Sequence, residues 1–315
     1  MDKNIFAEAL RENSVAKMQQ VAKSDLHNHA GRGGKISYIE NYANVTITPP
    51  TKPFSSLPEM NDWLNDNIKC HCPPGINNYL KRVEAAFAQA ADDNVTVLAL
   101  DYGVDEVYAL GGIDPFIKQM DHLKQTFAPH ANVYPDLTIY SWIELEDLEQ
   151  IYQYKWFNAI DIINYSDSLS MRQMKQICKH AKKNGLTLKA HVGEYGTADD
   201  VFRYVEELEL DEVQHGIRAA TSPQIMHWLA RNNIKLNICP TSNVLLGNCE
   251  SYKTHPIRTL FDNGVKVTIN TDDLIIFNST LSEEYLHLYN SDLMTADELY
   301  VICQTGLLHN YIKRA

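Results

Sequence analysis

Two histidines separated by one residue stand near the start of the chain, in the run Ser24-Asp25-Leu26-His27-Asn28-His29. Alternate side chains of a β-strand share one face, so both imidazoles could approach one ion from positions about 6.5–7 Å apart along the strand. Imidazole nitrogens are common ligands of zinc. With 12 His in 315 residues, such a pair is expected by chance about 0.45 times. The pair therefore indicates a metal site only if further ligands occur elsewhere.

The charge balance limits the classes of partner that the protein is expected to bind. The chain has 28 basic and 40 acidic residues, a net charge of -12, and no long run of Lys or Arg, which argues against nucleic acid or an anionic membrane surface. No stretch approaches the ~18 apolar residues of a membrane span, and no apolar segment follows Met1. Six cysteines in a chain of this length are typical of a reduced intracellular protein. We expect a cytoplasmic protein that acts on a small molecule, with the oligomeric state open.

Eight short, mainly apolar runs recur along the chain, separated by segments that could be helical, as in a parallel sheet covered on both faces. The runs begin at residue 24 and then span 96–102, 137–143, 159–165, 187–191, 212–215, 234–239 and 265–270. No glycine-rich phosphate loop accompanies them. The pattern predicts an α/β fold, a single (β/α)₈ TIM-type barrel, rather than an open dinucleotide-binding sheet.

Two additions to the barrel are predicted. Residues 5–22 read as an N-terminal lead-in helix with a break near Asn13-Ser14. After the first strand, a proline-containing stretch over residues 35–94 predicts a helical insertion that could act as a lid. No low-complexity linker divides the chain, so we expect one domain over residues 1–315.

In a barrel of this kind the active site lies at the carboxyl ends of the strands. Polar residues gather at four of the predicted ends. The first strand ends in His27 and His29, the fifth in His191 to Glu194, the sixth in His215-Gly216, and the eighth in Thr271-Asp272-Asp273. Three imidazoles and one carboxylate can satisfy one zinc ion. A second metal site at Cys70-His71-Cys72 is disfavoured because no second pair matches it.

Five of these motifs together resemble the adenosine deaminase family. They occur in order over residues 24–290: His27-Asn28-His29, His191-Val192-Gly193-Glu194, His215-Gly216-Ile217-Arg218, Cys239-Pro240-Thr241-Ser242-Asn243 and Asn270-Thr271-Asp272-Asp273. The resemblance implies a (β/α)₈ barrel that deaminates a 6-aminopurine nucleoside with one Zn²⁺ per chain. It also implies that the zinc ligands are His27, His29, His191 and Asp272.

The same resemblance implies three catalytic residues. Glu194 would protonate the purine ring, His215 would orient the attacking hydroxide, and Asp273 would accept a hydrogen bond from it. Asn164 and Gly193 are the candidate substrate-binding residues. Iron or cobalt could fit similar ligands.

The departures from the family concern substrate recognition. Members that act on adenosine usually carry an acidic residue two places after the second His, where this chain has Gly31 followed by Arg32. The stretch Asn164 to Asp167 also differs from the usual Gly-Asp or Gly-Glu pair. Arg32 could hold a phosphate or carboxylate of a modified nucleoside or could lie in a solvated turn.

Three functions remain open at this stage. The first is a zinc-dependent deaminase of adenosine or a related 6-aminopurine nucleoside, which gives an inosine-type product and ammonia. The second is a deaminase of another amino-heterocycle or modified nucleoside that uses the same residues. The third is a nucleoside-binding protein without catalysis, against which the intact set Glu194, His215 and Asp273 argues.

Overall fold

Eight parallel strands form one sheet in which each strand pairs with the next along the chain, in the order β1 to β8. This computed structural model describes residues 3–139, 143–165 and 169–309. The strands are β1 Lys23–Asp25, β2 Val95–Gly103, β3 Asn132–Ile139, β4 Ala159–Ile162, β5 Thr187–Val192, β6 Glu212–His215, β7 Lys235–Ile238 and β8 Lys266–Ile269. A parallel bridge between Asn28 and Asp272 brings the first and last strands together just beyond their ends. The sheet is thus a nearly closed (β/α)₈ barrel, and the predicted fold class is confirmed.

The helices surround the sheet. In chain order the α-helices are α1 Lys3–Arg11, α2 Val15–Met18, α3 Ile36–Ala43, α4 Leu57–Asn67, α5 Ile76–Asp92, α6 Val104–Ala109, α7 Ile113–Phe127, α8 Leu145–Tyr152, α9 Met171–Lys183, α10 Ala198–Leu208, α11 Pro223–Arg231, α12 Pro240–Leu245, α13 Ile257–Asp262, α14 Leu274–Phe277, α15 Leu281–Asn290 and α16 Ala296–Leu307. Short 3₁₀ turns occur at Lys69–His71, Ile217–Thr221 and Tyr252–Thr254. No helix in these described ranges is long and apolar enough to cross a membrane.

The eight predicted strands all exist, but several boundaries differ from the prediction, most of all that of the third strand. The third was predicted at 137–143, whereas β3 begins at Asn132 and residues 140–142 lie outside the described part of the chain. Pro135 within β3 pairs with Leu100 of β2. The polar and proline-containing first half of β3 hides it from a search for apolar runs, since proline within a run argues against a strand.

The lead-in segment breaks where the sequence predicted. The helices α1 and α2 are separated at Asn13, which has a φ of 49°, and the Ser14 side chain caps α2 by accepting from Lys17 N at 3.3 Å. Phe6 of α1 packs edge-on against Tyr285 and Tyr300, with ring centroids 5.6 and 5.7 Å away. The lead-in segment therefore packs against α15 and α16, near the end of the described chain.

The barrel interior is polar, while the apolar core lies between the strands and the outer helices. Lys189 is fully buried inside the barrel, and its Nζ lies 2.6 Å from Asp136 Oδ2. Glu212 pairs with Lys235 at 3.0 Å on a neighbouring strand. Burying charges is tolerated only when they are paired and hydrogen-bonded. These pairs form a layer of charges beneath the carboxyl ends of the strands.

Candidate metal-dependent active site

His27 and His29 lie just beyond β1, not within it, because β1 ends at Asp25. The extended backbone continues through two isolated parallel bridges, Asn28 with Asp272 and His29 with Asp101. These bridges hold both imidazoles at the carboxyl end of the barrel, where the resemblance to the family placed them. The prediction that they are part of the strand itself was wrong, since only single bridges extend the ladder this far.

Four imidazoles and a carboxylate converge at this end. The ring centroid of His27 lies 5.5 Å from that of His29, 4.7 Å from His191 and 4.6 Å from His215. Asp272 Oδ1 lies 3.2 Å from His29 Nε2 and 3.7 Å from His27 Nε2. Except for the partly buried His29, all of these side chains are buried. The structure therefore brings together the four predicted metal ligands and His215.

Hydrogen bonds on the far side of two rings determine their tautomers. His27 Nδ1 lies 3.3 Å from the carbonyl oxygen of Asn237, and His191 Nδ1 lies 3.1 Å from Asp161 Oδ1. Because each partner can only accept, each Nδ1 carries the proton and each Nε2 presents a lone pair. The two Nε2 atoms face each other at 3.0 Å.

Two opposed lone pairs at this distance repel unless a cation lies between them. Two nitrogens bound about 2.0–2.1 Å from one tetrahedral zinc ion would be separated by about 3.3 Å. The buried donor set therefore fits a metal ion of this kind.

Asp272 and Asp273 diverge as they leave β8. Asp272 Oδ2 accepts from Ser242 Oγ at 2.6 Å, and its other oxygen faces the imidazoles. Asp273 Oδ2 accepts from Arg32 Nη1 at 2.7 Å, and its Oδ1 has no hydrogen-bond partner in the described part of the chain. One carboxylate is thus directed to the ligand cluster while the other keeps an acceptor atom for a second group. Asp272 has a φ of 59°, a strained conformation of the kind that clusters at active sites.

Glu194 is fully buried in the same pocket. Burial raises the pKa of Glu194 to about 8, and the charge of Asp272 adds to the rise. The Tyr165 hydroxyl donates to Glu194 Oε2, whereas Oε1 has no partner within the described ranges. A carboxyl group with this pKa is largely protonated at neutral pH and can donate its proton.

A chain of hydrogen bonds fixes His215. The backbone N–H of Ile257 donates to His255 Nδ1 at 3.1 Å, so the proton of the His255 ring is on Nε2, which lies 3.2 Å from Asn243 Oδ1. Asn243 Nδ2 then donates to His215 Nδ1 at 3.3 Å. Burial lowers the pKa of both His255 and His215 to about 3, so both stay neutral at pH 7.

This chain of hydrogen bonds gives the His215 ring a hydrogen-bond donor with a fixed direction. The proton of the neutral His215 ring is on Nε2, which lies 3.7 Å from Glu194 Oε2 and 3.9 Å from Asp272 Oδ2. His215 therefore presents one N–H to the space between these two carboxyl groups.

A cavity of about 310 Å³ opens above the cluster. Three predicted catalytic residues line it, together with the ligand candidates His29, His191 and Asp272. Much of the opposite wall comes from the insertion after β1, through Leu57, Met60, Asn61, Lys69, Tyr79 and Arg82. The predicted helical insertion thus encloses the site; its motion as a lid stays a prediction.

Asn164 and Gly193 occupy structural positions next to the cavity. The Asn164 side chain closes its own loop, donating to Leu169 O at 3.0 Å and accepting from Leu169 N at 2.9 Å, while its neighbour Tyr165 lines the cavity. Gly193 has a φ of 70°, and an added Cβ would lie 2.3 Å from Val201 Cγ2. Ser166 and Asp167, the rest of the divergent stretch, lie outside the described residues.

Sequence reasoning missed several residues of the site. Asp161 orients His191, Tyr165 bonds Glu194, and His255 with Asn243 fixes His215. Asp101, which also lines the cavity, is buried, and burial raises its pKa well above the ordinary range. Their positions at strand ends were a signal for Asp101 and Asp161, but His255 lies in a loop and carries no such signal.

The fold and the site define a class: a metal-dependent hydrolase of the amidohydrolase type, built on a (β/α)₈ barrel. Comparison with known proteins is consistent with this class. The sequence model of the adenosine deaminase family matches residues 141–312. A protein of Treponema pallidum named "Putative adenosine/adenine deaminase" is 31% identical over 282 residues, which cover 87% of this chain and 93% of that protein. This chain belongs to the adenosine deaminase family.

Two further comparisons agree. An adenosine deaminase of Clostridium acetobutylicum is 33% identical over 149 residues, covering 47% of this chain and 45% of that protein. The crystal structure of an adenine deaminase from Arthrobacter aurescens superposes with a TM-score of 0.74 at 18% identity, covering 91% of this chain and 92% of the other; at that identity the likeness concerns the fold. The chain is accordingly an enzyme that deaminates adenine-type compounds.

Proposed function

We propose that the chain is a zinc-dependent hydrolase that deaminates adenosine or a related 6-aminopurine nucleoside, giving an inosine-type product and ammonia. The observation that carries this proposal is the position of the buried Glu194 carboxyl group, whose Oε2 lies 3.7 Å from His215 Nε2 beside the ligand cluster. In this arrangement a proton donor and a charge-stabilising donor face the same space.

His27, His29, His191 and Asp272 would hold the zinc ion. When bound, zinc would lower the pKa of a water molecule toward neutrality. Asp161 and the carbonyl of Asn237 keep the two Nε2 lone pairs available for this purpose, since each holds the ring proton on Nδ1.

Two residues, Asp273 and Glu194, would transfer the protons, and His215 would stabilise charge. Asp273 Oδ1 accepts a proton from the water that attacks the amino-bearing carbon, and Glu194 gives its proton to the adjacent ring nitrogen. The His215 Nε2–H stabilises the negative charge that develops on the attacking oxygen. Asp273 then protonates the amino group, the C–N bond breaks, and ammonia leaves. The second proton of the water returns to Glu194, which restores the starting state.

The experiment measures ammonia release and the ultraviolet change of the purine with purified, zinc-loaded protein. Adenosine, deoxyadenosine and adenine are compared, and Glu194→Gln is tested beside Glu207→Gln, which removes an exposed carboxylate far from the cavity. We expect Glu194→Gln to lower kcat about 10²–10⁴-fold, with metal content by mass spectrometry and product binding unchanged. Full turnover by Glu194→Gln would refute the assignment of the proton donor, and no turnover of any aminopurine by the wild type would refute the function.

A further inference from the structure

Three cationic side chains line the outer part of the active-site cavity. Arg32 follows the metal-ligand segment, Lys69 lies in the turn after α4, and Arg82 is on α5. Because the chain as a whole carries a net charge of -12, this cluster is a local feature and does not reflect a basic surface.

Arg82 occupies the space beside Gly31. A Cβ added at Gly31 would lie 2.8 Å from Arg82 Nη1 and 2.9 Å from the Tyr79 ring, so residue 31 cannot carry a side chain without displacing them. Arg82 donates through Nη1 to the Gly31 carbonyl oxygen and through Nε to Asn78 Oδ1 at 3.2 Å. These bonds hold the guanidinium in place and leave its second terminal nitrogen, Nη2, without a partner in the described part of the chain.

Lys69 has no ion pair or side-chain hydrogen bond to the described residues. Burial lowers the pKa of Lys69, and Arg82 and Arg32 lower it further. These effects agree with the common place of the three cations in the lining of one cavity. Arg32 is already paired, with Asp273 at 2.7 Å and Asn61 at 3.0 Å.

The carboxylate whose charge acts on both Lys69 and Arg82 is that of Glu106, which also lines the cavity. Glu106 forms no ion pair with Lys69 or Arg82 in the described part of the chain, and its buried Oε2 has no hydrogen-bond partner there, so its carboxylate compensates the two cations incompletely. Two partly desolvated cations with one weak counter-charge are unfavourable unless a further anion binds between them. Guanidinium and ammonium groups are the side chains that bind phosphate and carboxylate most strongly.

We propose that the cavity takes its aminopurine as an anionic derivative, whose phosphate or carboxylate group binds Lys69 and Arg82 while the purine faces Glu194. This inference rests on the proposed deamination and specifies its substrate class. Arg32 lines the same cavity and is hydrogen-bonded to Asp273, so it connects this group of cations with a proposed catalytic residue.

The test compares 5′-AMP, adenosine and 9-(carboxymethyl)adenine with wild-type protein, Lys69→Gln and Lys69→Arg. Lys69 is chosen because it is half-buried and bonds nothing through its side chain, so its replacement should leave the fold intact. Lys81→Gln is the matched control, since Lys81 lies on α5 beside Arg82 but pairs with Glu84 at 2.7 Å. Turnover is measured as kcat and KM. Binding of 5′-AMP and adenosine to the Glu194→Gln protein is measured by calorimetry.

We expect the wild type to bind 5′-AMP at least about 10-fold more tightly than adenosine, the value of one hydrogen bond to a charged group. Lys69→Gln should weaken 5′-AMP binding much more than adenosine binding and so remove most of this preference, and Lys69→Arg should restore it. Raising the salt concentration should weaken 5′-AMP binding selectively. A preference for 9-(carboxymethyl)adenine with the same dependence on Lys69 would support the inference with a carboxylate as the anion.

Equal binding of 5′-AMP and adenosine, or equal effects of Lys69→Gln and Lys81→Gln, would overturn the anion site. If adenosine were still deaminated in that case, the proposed function would stand without it. Loss of turnover and binding with every compound of the panel would overturn both.

Discussion

Asp161→Asn should weaken metal binding although it changes only one atom of a residue that is not a proposed ligand. Asp161 is fully buried and accepts two hydrogen bonds, from His191 Nδ1 at 3.1 Å and from Gln214 Nε2 at 3.0 Å. Burial alone would raise the pKa of Asp161, but His191 and Lys189 lower it. The group is therefore a carboxylate at neutral pH, with one oxygen for each donor.

An asparagine at this position has one acceptor and one donor group. With its oxygen toward His191, its NH₂ faces the NH₂ of Gln214. Gln214 cannot turn over, because its Oε1 accepts from Asn237 Nδ2 at 2.9 Å and that amide also donates to Glu212. In the opposite orientation the asparagine donates to His191 Nδ1, which moves the ring proton to Nε2, the nitrogen that faces His27.

Either orientation disturbs His191, so we expect zinc affinity to fall by about 10–100-fold, equivalent to about 1.4–2.7 kcal/mol. The assay is competition of the metal-free protein with a chromogenic zinc chelator at pH 7.5, with stability measured separately by urea unfolding. Asp136→Asn is the matched control: it changes another buried barrel carboxylate, which pairs with Lys189 at 2.6 Å. A zinc affinity for Asp161→Asn equal to that of the wild type, or an equal loss in Asp136→Asn, would refute the reasoning.

Two further predictions concern residues outside the ligand set. His255→Leu breaks the chain of hydrogen bonds that fixes the His215 tautomer, so kcat should fall about 10-fold while the zinc content stays unchanged. His255→Gln should recover part of this kcat, because its amide can donate to Asn243. An identical kcat for both variants would contradict this role of His255. Burial raises the pKa of Glu284 to about 8 from 4.5, so its contribution to stability is complete below about pH 4.5 and is lost as the pH rises through 8. The free energy of unfolding of Glu284→Gln should therefore rise relative to that of the wild type between pH 5 and 8, by at most about 5 kcal/mol in urea unfolding. The exposed variant Glu207→Gln should show no such relative change. A difference independent of pH would count against a buried, protonated Glu284.

The sequence alone predicted the barrel and the polar end that holds the candidate site, because both depend on local signals; the roles of the site residues came from the resemblance to the family. Apolar runs of strand length recur with helical segments between them, and that alternation is visible without any tertiary contact. The strand ends are equally visible, so His191, His215 and Asp272 could be proposed as site residues from their positions. The strand boundaries that were mispredicted lack such local signals. The first half of β3 contains polar residues and Pro135, and the single bridges that extend β1 leave no apolar pattern.

Only the tertiary structure decided which groups surround these residues. The Arg82 guanidinium lies beside Gly31, 51 residues away along the chain, and the His255–Asn243 chain reaches His215 from a loop. Such contacts depend on how the insertion after β1 folds over the barrel and on which side chains are desolvated together. The pKa of Glu194 is set in the same way, by burial among groups that four different strands deliver, so no local pattern in the sequence encodes it.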